Sequence, residues 1–234
     1  MPQKTLLITA TDTEVGKTVL TTALAAYRQT YAPSTSLGLL KLIQCGSGDR
    51  ERYHQLFDAS SAIEIGESLA FAAPVAPPIA AELESKEIDL APIWQNLRAM
   101  QQRHDLVLVE ALGGLGSPVT HELTVADLAG QWRLETLLVA PVQLGAIAQI
   151  VANIALAREK KVNLRSIVLS CSQAVSPEQI AQWTPIALIE SLTQVPILGI
   201  LPHVEDLNSL SGLTKAAAGL NLESIFPRLS WDKI

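Results

Sequence analysis

Apolar residues recur along this chain in short unbroken runs, separated by longer stretches in which they fall three or four positions apart. The runs Leu6–Thr9, Leu37–Leu42, Leu106–Glu110, Thr136–Ala140, Ser166–Leu169 and Ile197–Leu201 mostly lack polar alternation. A strand that is apolar on both sides needs cover on both faces, the situation inside a parallel sheet. Helical spacing is read over Thr18–Tyr31, Asp49–Phe57, Leu90–Arg103, Gly145–Glu159 and Pro177–Leu192. Ser176 followed by Pro177 is a good helix start, an N-cap with proline in the first turn. The alternation predicts an α/β fold: a doubly wound, mostly parallel sheet of about six to seven strands with helices on both faces. The main irregular stretch, Phe71–Pro78, holds Pro74, Pro77 and Pro78. It reads as a surface or site-bordering loop within one domain over 1–234, because the alternation resumes after it.

Composition narrows the function classes. The 234 residues are 48% hydrophobic, enough for one α/β domain around a buried sheet. A formal net charge of −6, with no window dense in Lys and Arg, argues against a nucleic-acid or anionic-membrane binder. Aromatic content of 4% also leaves little for base stacking. Cys45 and Cys171 lie far apart without metal-ligand spacing, so free thiols in a reducing, cytoplasmic compartment are expected. The first apolar run is short and meets Thr11-Asp12-Thr13-Glu14 at once, which is unlike a secretory signal. Thr136–Ala157 carries no charge and is long enough to span a bilayer. Pro141, Gln143, Gly145, Gln149 and Asn153 interrupt it, so a buried strand turning into an amphipathic helix is expected instead.

The chemistry begins at Ala10-Thr11-Asp12-Thr13-Glu14-Val15-Gly16-Lys17-Thr18, between the first strand and the first helix. Gly-Lys-Thr at such a junction is where a phosphate-binding loop holds a nucleoside triphosphate. Backbone N–H groups and the helix N-terminus face the phosphates, the lysine neutralises them, and the threonine hydroxyl can ligate Mg²⁺. The usual first glycine of that pattern would fall at Thr11, and it is missing. Ligands of such sheets sit at the carboxyl ends of strands, where three further residues qualify. Lys41 ends the second run, and a lysine in an apolar run is costly to bury unless it meets an anion; a lysine snorkelling to the surface is the alternative. Asp49 follows Gly46 and Gly48 at a helix start, as a site residue or an N-cap. Glu110 ends the third run before Gly113-Gly114, as a metal-holding carboxylate or an exposed strand-end acid.

Together these motifs resemble the dethiobiotin synthetase family. The resemblance is carried by Thr11–Thr18, by Lys41 with Gln44 and Gly46, by Val109-Glu110 with Gly113-Gly114, and by Pro74 with Pro77. It implies an ATP- and Mg²⁺-dependent ligase making dethiobiotin from 7,8-diaminononanoate and CO₂ (or bicarbonate). Lys41, Lys17 and Thr13 would be catalytic, and Thr18, Asp49 and Glu110 would hold the metal. The nucleotide would lie against Glu14, Val15, Gly16, Lys17, Thr18, Val19 and Gly113, with Ser170, Pro202, His203 and Val204 near its base. Thr13, Cys45, Gly145 and Ala146 would meet the diamine at the interface of a homodimer. The face of Ala146, Ile147, Ile150, Val151 and Ile154 is read either as that interface or as core.

Several positions depart from the family pattern. Ala10 and Leu42 replace a glycine and a proline, Cys45 replaces a hydroxyl residue, and Ala111-Leu112 add bulk after the acid. Pro78 stands where histidine is common. Ser170 and Cys171 fall where an asparagine reads adenine, which predicts a relaxed nucleotide preference. Two alternatives stay open: a nucleotide-dependent switch or scaffold ATPase, and a paralogue that binds nucleotide without turnover.

Overall fold

Leu6, Leu7 and Ile8 are all buried although successive side chains of a strand point to opposite sides, so the first strand requires a core on each face. The computed structural model describes residues 5–224. In it β1 (Thr5–Ala10), α1 (Lys17–Tyr31), β2 (Leu37–Lys41), β3 (Ile43–Cys45), α2 (Asp49–Phe57), β4 (Ile63–Ile65), β5 (Leu69–Phe71) and α3 (Pro77–Leu83) form the first part of the chain. They are followed by α4 (Ala91–Arg103), β6 (Leu106–Gly114), α5 (Val125–Gln131), β7 (Glu135–Pro141), α6 (Ala146–Glu159) and β8 (Asn163–Ser170). Then come α7 (Pro177–Trp183), α8 (Ile186–Thr193), β9 (Ile197–Leu201) and α9 (Leu210–Ala218). Seven strands make one sheet in the order β4-β2-β6-β1-β7-β8-β9, and each neighbouring pair is parallel. The expected doubly wound α/β architecture is present.

The two cores follow from the strand alternation. Leu7 joins Leu40, Val107, Val109 and Leu138 beneath Leu97 of α4, Leu128 of α5 and Ile150 of α6. Leu6 and Ile8 join Leu39, Leu108, Leu137 and Val168 beneath Leu20 and Leu24 of α1 and Leu213 of α9. Each such side chain, fully buried, contributes about 1.5–3 kcal/mol over leaving it exposed. This double cover fixes where every strand ends, and therefore where the site lies.

Two expectations change, and one, that for Thr136–Ala157, holds. The helix expected over Pro177–Leu192 is two helices, because Pro185 has no N–H to continue the first and instead stands as N-cap of α8. The stretch Phe71–Pro78 is less irregular than its prolines imply. Phe71 ends β5, which pairs with β3 as a separate two-stranded sheet, and Pro77 opens α3 in the position where a missing N–H costs nothing. Thr136–Ala157 divides into β7 and α6, and among the described residues no helix is long and apolar enough to cross a membrane. Cys45 and Cys171 are free, as expected.

α5 shows how a short helix is fixed. The Thr124 backbone N–H and hydroxyl donate to the Asp127 carboxylate at 2.9 and 2.7 Å, and the Asp127 N–H donates back to the Thr124 hydroxyl at 3.3 Å, a capping box. Lys160, just past α6, reaches the other Asp127 oxygen at 2.8 Å. The Lys160 hydrogen bond, then those of Thr124, lower the Asp127 pKa to about 2. The unfolded chain therefore binds more protons at this group below about pH 4, so its contribution is full above that pH and is lost as pH falls toward about 2. We expect D127N to cost about 1 kcal/mol near neutral pH. Its deficit against the unsubstituted protein should shrink on acidification, as read by urea unfolding at a series of pH values.

Candidate active site

At the end of β1 the chain leaves the sheet with the Thr11 N–H still bonded to the Val139 carbonyl at 2.9 Å, then folds over the start of α1. Gly16 caps that helix at φ 100°, a left-handed conformation that favours glycine. Space demands glycine as well, since a Cβ there would sit 2.4 Å from the Ser170 hydroxyl. Ala10, by contrast, is a buried residue of β1, so alanine fits in ordinary strand backbone. The close approach in this region is made from the other side by Gly114, whose Cβ would lie 3.0 and 2.9 Å from the carbonyls of Ala10 and Thr11. The loop thus presents the first N–H groups of α1 outward, the usual setting for an anion.

Strand register assembles the charges. β2 pairs with β6 so that Lys41 lies opposite Glu110. The Lys41 ammonium is 2.7 Å from Glu110 Oε1, 2.5 Å from Asp49 Oδ2 and 3.3 Å from the Ala111 carbonyl. Thr18 Oγ1 lies 2.7 Å from Asp49 Oδ1 and 2.8 Å from Glu110 Oε1. Glu110 is fully enclosed at 0% exposure, and Lys41 is 4% exposed. Its remaining oxygen, Oε2, accepts the hydrogen bond of the buried Tyr53 hydroxyl. Asp49 opens α2, but the N-cap is Gly48, whose N–H donates to Glu51. The Asp49 carboxylate is thereby available to Lys41 and Thr18.

Protonation follows the same contacts. Burial opposes the charge on Lys41, yet Glu110 and Asp49 outweigh it and hold the Lys41 pKa above its ordinary value. Burial likewise opposes the charge on Asp49, and Lys41 with the Thr18 hydroxyl keeps its carboxyl below the usual range. Among the described residues, no carboxylate forms an ion pair with Lys17. Burial brings its pKa down to about 8, and its ammonium donates to the Asp12 carbonyl at 3.0 Å.

The Thr18 hydroxyl has one proton and so donates to only one of the two carboxylates at a time. Three hard oxygens, from Thr18, Asp49 and Glu110, converge with fewer protons than contacts. That donor set fits a magnesium-type ion, which takes one or two carboxylates and completes its shell with phosphate and water.

A cavity of about 750 Å³ opens above this cluster. Thr13, Glu14, Gly16, Lys17, Thr18, Val19, Lys41, Cys45, Asp49, Glu110 and Gly113 all line it, so most of the residues expected at the site meet there. Pro74 and Pro77 form part of its rim, as does Leu112. The Cys45 thiol is half-buried, and burial, then Glu84, raises its pKa. Other expected residues lie elsewhere. Val15 is buried in the core on the α1 side, and Ser170 is buried under Gly16. Pro202 and His203 are exposed after β9, while Val204 packs against the α1-side core. Gly145 caps α6 at φ 90°. Ala146, Ile150 and Ile154 belong to the core, with Ile147 packed against it. On the face read as interface or core, these four therefore serve the core, whereas Val151 is 39% exposed.

Two residues of this region escape a motif-based reading. Arg52 lines the cavity and donates to the Leu207 carbonyl at 3.4 Å. Tyr53 touches Glu110 from beneath. The available signal was the helical spacing of Asp49 and Tyr53, four residues apart on one face.

A family model described as an AAA domain matches residues 4–211. The ATP-dependent dethiobiotin synthetase BioD of Gloeothece citriformis is 65% identical over 222 residues, covering 95% of this chain and 98% of that protein. Its namesake from Crocosphaera subtropica is 55% identical over 222 residues, with 95% and 99% covered. That from Synechocystis sp. is 52% identical over 225 residues, with 95% of each covered. Among solved structures, a ParA family ATPase from Chlorobium tepidum superposes with a TM-score of 0.56 at 13% identity, covering 99% of this chain and 96% of that one. The MinD cell division protein of Aquifex aeolicus gives 0.56 at 13%, covering 98% and 92%. Those two likenesses show a shared fold alone. Identity above half along nearly the whole of both chains is a family relationship, and this chain belongs to the ATP-dependent dethiobiotin synthetases.

Proposed function

We propose that this enzyme closes the cyclic urea of dethiobiotin from 7,8-diaminononanoate, CO₂ and ATP, as a step of biotin biosynthesis. The observation that carries the reading is the placement of Lys41. It is a buried cation in the lining of the cavity, beside the Thr18–Asp49–Glu110 oxygens, and the cavity is also lined by Lys17 of the phosphate loop.

One amine of the substrate adds to CO₂ and loses a proton, leaving a carbamate. A carbamate oxygen attacks the γ-phosphorus, and ADP departs. The second amine then attacks the carbonyl carbon of the mixed anhydride, phosphate leaves, and loss of the amine proton completes the ring. Negative charge moves in each step, so cations and positioning serve better than an acid–base pair. Lys17 and the first turn of α1 hold the terminal phosphates. Lys41 balances the charge growing between carbamate and phosphate, and its two carboxylate partners keep it protonated throughout. Thr18, Asp49 and Glu110 would hold Mg²⁺, which when bound neutralises phosphate charge. Thr13 and Glu14 face the substrate side of the cavity, and Cys45 offers the diamine a weaker hydrogen-bonding group than a hydroxyl.

The diamine site is completed in a homodimer, with Gly145 and Ala146 at the start of α6 near the substrate's carboxylate. The exposed apolar side chains of Leu144 (81%), just before α6, and of Val151 on it support a surface that is covered in the dimer. Light scattering should return twice the 25.1 kDa chain mass; a monomer at micromolar concentration would reject this arrangement.

Purified protein given ATP, Mg²⁺, bicarbonate and diaminononanoate should produce dethiobiotin and ADP together, and chelation by EDTA should stop both. ADP released without dethiobiotin, or without dependence on the diamine, would instead identify a switch-type ATPase. K41A should lower dethiobiotin formation by at least about 100-fold while nucleotide binding stays within a few-fold. Turnover at the normal rate would remove Lys41 from the reaction.

A further inference from the structure

A buried carboxylate is tolerated only when both oxygens have partners, because an unpaired charge away from water is strongly disfavoured. Glu110, at 0% exposure, meets that requirement asymmetrically. Oε1 faces the cavity side, where Lys41 and Thr18 contact it. Oε2 points into the protein, where the phenol of Tyr53 is the partner that the structure records. Tyr53 is itself at 0% exposure, enclosed in the α1-side core with Phe57 and Leu39. Its hydroxyl is the donor in that contact, since a carboxylate oxygen can only accept. α2 therefore delivers two groups to one place from one face: Asp49 to the cavity, and four residues later Tyr53 to the back of Glu110.

We propose that Tyr53 is a positioning residue for the ligase. Its hydroxyl anchors Oε2 of Glu110, so that Oε1 alone is offered to Thr18, Lys41 and the divalent cation. This rests on the reading of Thr18, Asp49 and Glu110 as the metal-holding set. Without the hydroxyl, Oε2 has no recorded partner in an enclosed site, and the carboxylate gains by rotating toward Lys41. The metal would then lose an oriented ligand while the ring that fills the core is kept. Outer hydrogen bonds of this kind are worth about 10–100-fold in metal affinity.

The experiment compares the unsubstituted protein with Y53F. Mn²⁺ binding in the presence of a non-hydrolysable ATP analogue is followed by electron paramagnetic resonance, and analogue binding in EDTA by calorimetry. Mn²⁺ affinity should fall about 10–100-fold in Y53F, with metal-free analogue affinity unchanged, a split that general damage to the core would not give. Metal dependence intact in the unsubstituted protein and equal in Y53F overturns the proposal alone. Analogue binding indifferent to Mn²⁺ in the unsubstituted protein overturns the metal-site reading and the proposal with it. Should Y53F fail to fold, the unsubstituted protein carries the test by proton NMR. A downfield, slowly exchanging Tyr53 hydroxyl that disappears in E110Q is expected; one that exchanges as freely as that of the exposed Tyr31 overturns the proposal.

Discussion

The site depends on one buried carboxylate. Glu110 is fully enclosed and is held by Lys41, Thr18 and Tyr53, which come from β2, α1 and α2. Three elements are thereby tied to the middle of a fourth, β6, which runs on past Glu110 to Gly114. The converse also holds: Lys41, buried in the same place, keeps its proton because Glu110 and Asp49 are beside it. Neither charge is tenable alone. Such a pair adds little net stability, since desolvation offsets most of the attraction. What it provides is a cation held in a dry, fixed place, where its field acts strongly on a transferring phosphoryl group.

Much of this was legible in the sequence, for physical reasons. Unbroken apolar runs report burial on both faces, and only a sheet covered by helices provides that, so the α/β class followed from β1, β6 and β7. The loop residues Gly16, Lys17 and Thr18 were legible because phosphate binding restricts backbone and side chain together. Lys41 stood out as a charge in an apolar run. Of the elements that escaped, α5 and α9 went unread, and others were too short to show a period. β3, β4 and β5 have three residues each, and α3 was hidden by prolines that mark a helix start as readily as a loop. The break before α8 had the opposite cause, a proline inside a pattern that otherwise continued.

Tyr53 escaped for a different reason. A tyrosine among apolar neighbours on a helix reads as core, and it is core by every measure of burial. Its role depends on which carboxylate ends at its hydroxyl, a fact of register between α2 and β6 that local sequence does not carry. The same limit applies to Ser170. The resemblance places it where an asparagine reads adenine, and what the sequence does not carry is that its hydroxyl lies beneath Gly16.

That contact sets a dimension of the site. The phosphate loop rests on the end of β8 with a serine hydroxyl between them, and a carbon at position 16 would displace that hydroxyl. The height of the loop above the sheet is therefore a sum of two side-chain sizes, zero from Gly16 and one small hydroxyl from Ser170. A larger residue at 170 has two choices: lift the loop away from Lys41, or swing outward into the space above the sheet. The side-chain volumes at positions 16 and 170 are therefore coupled through one shared space beneath the loop.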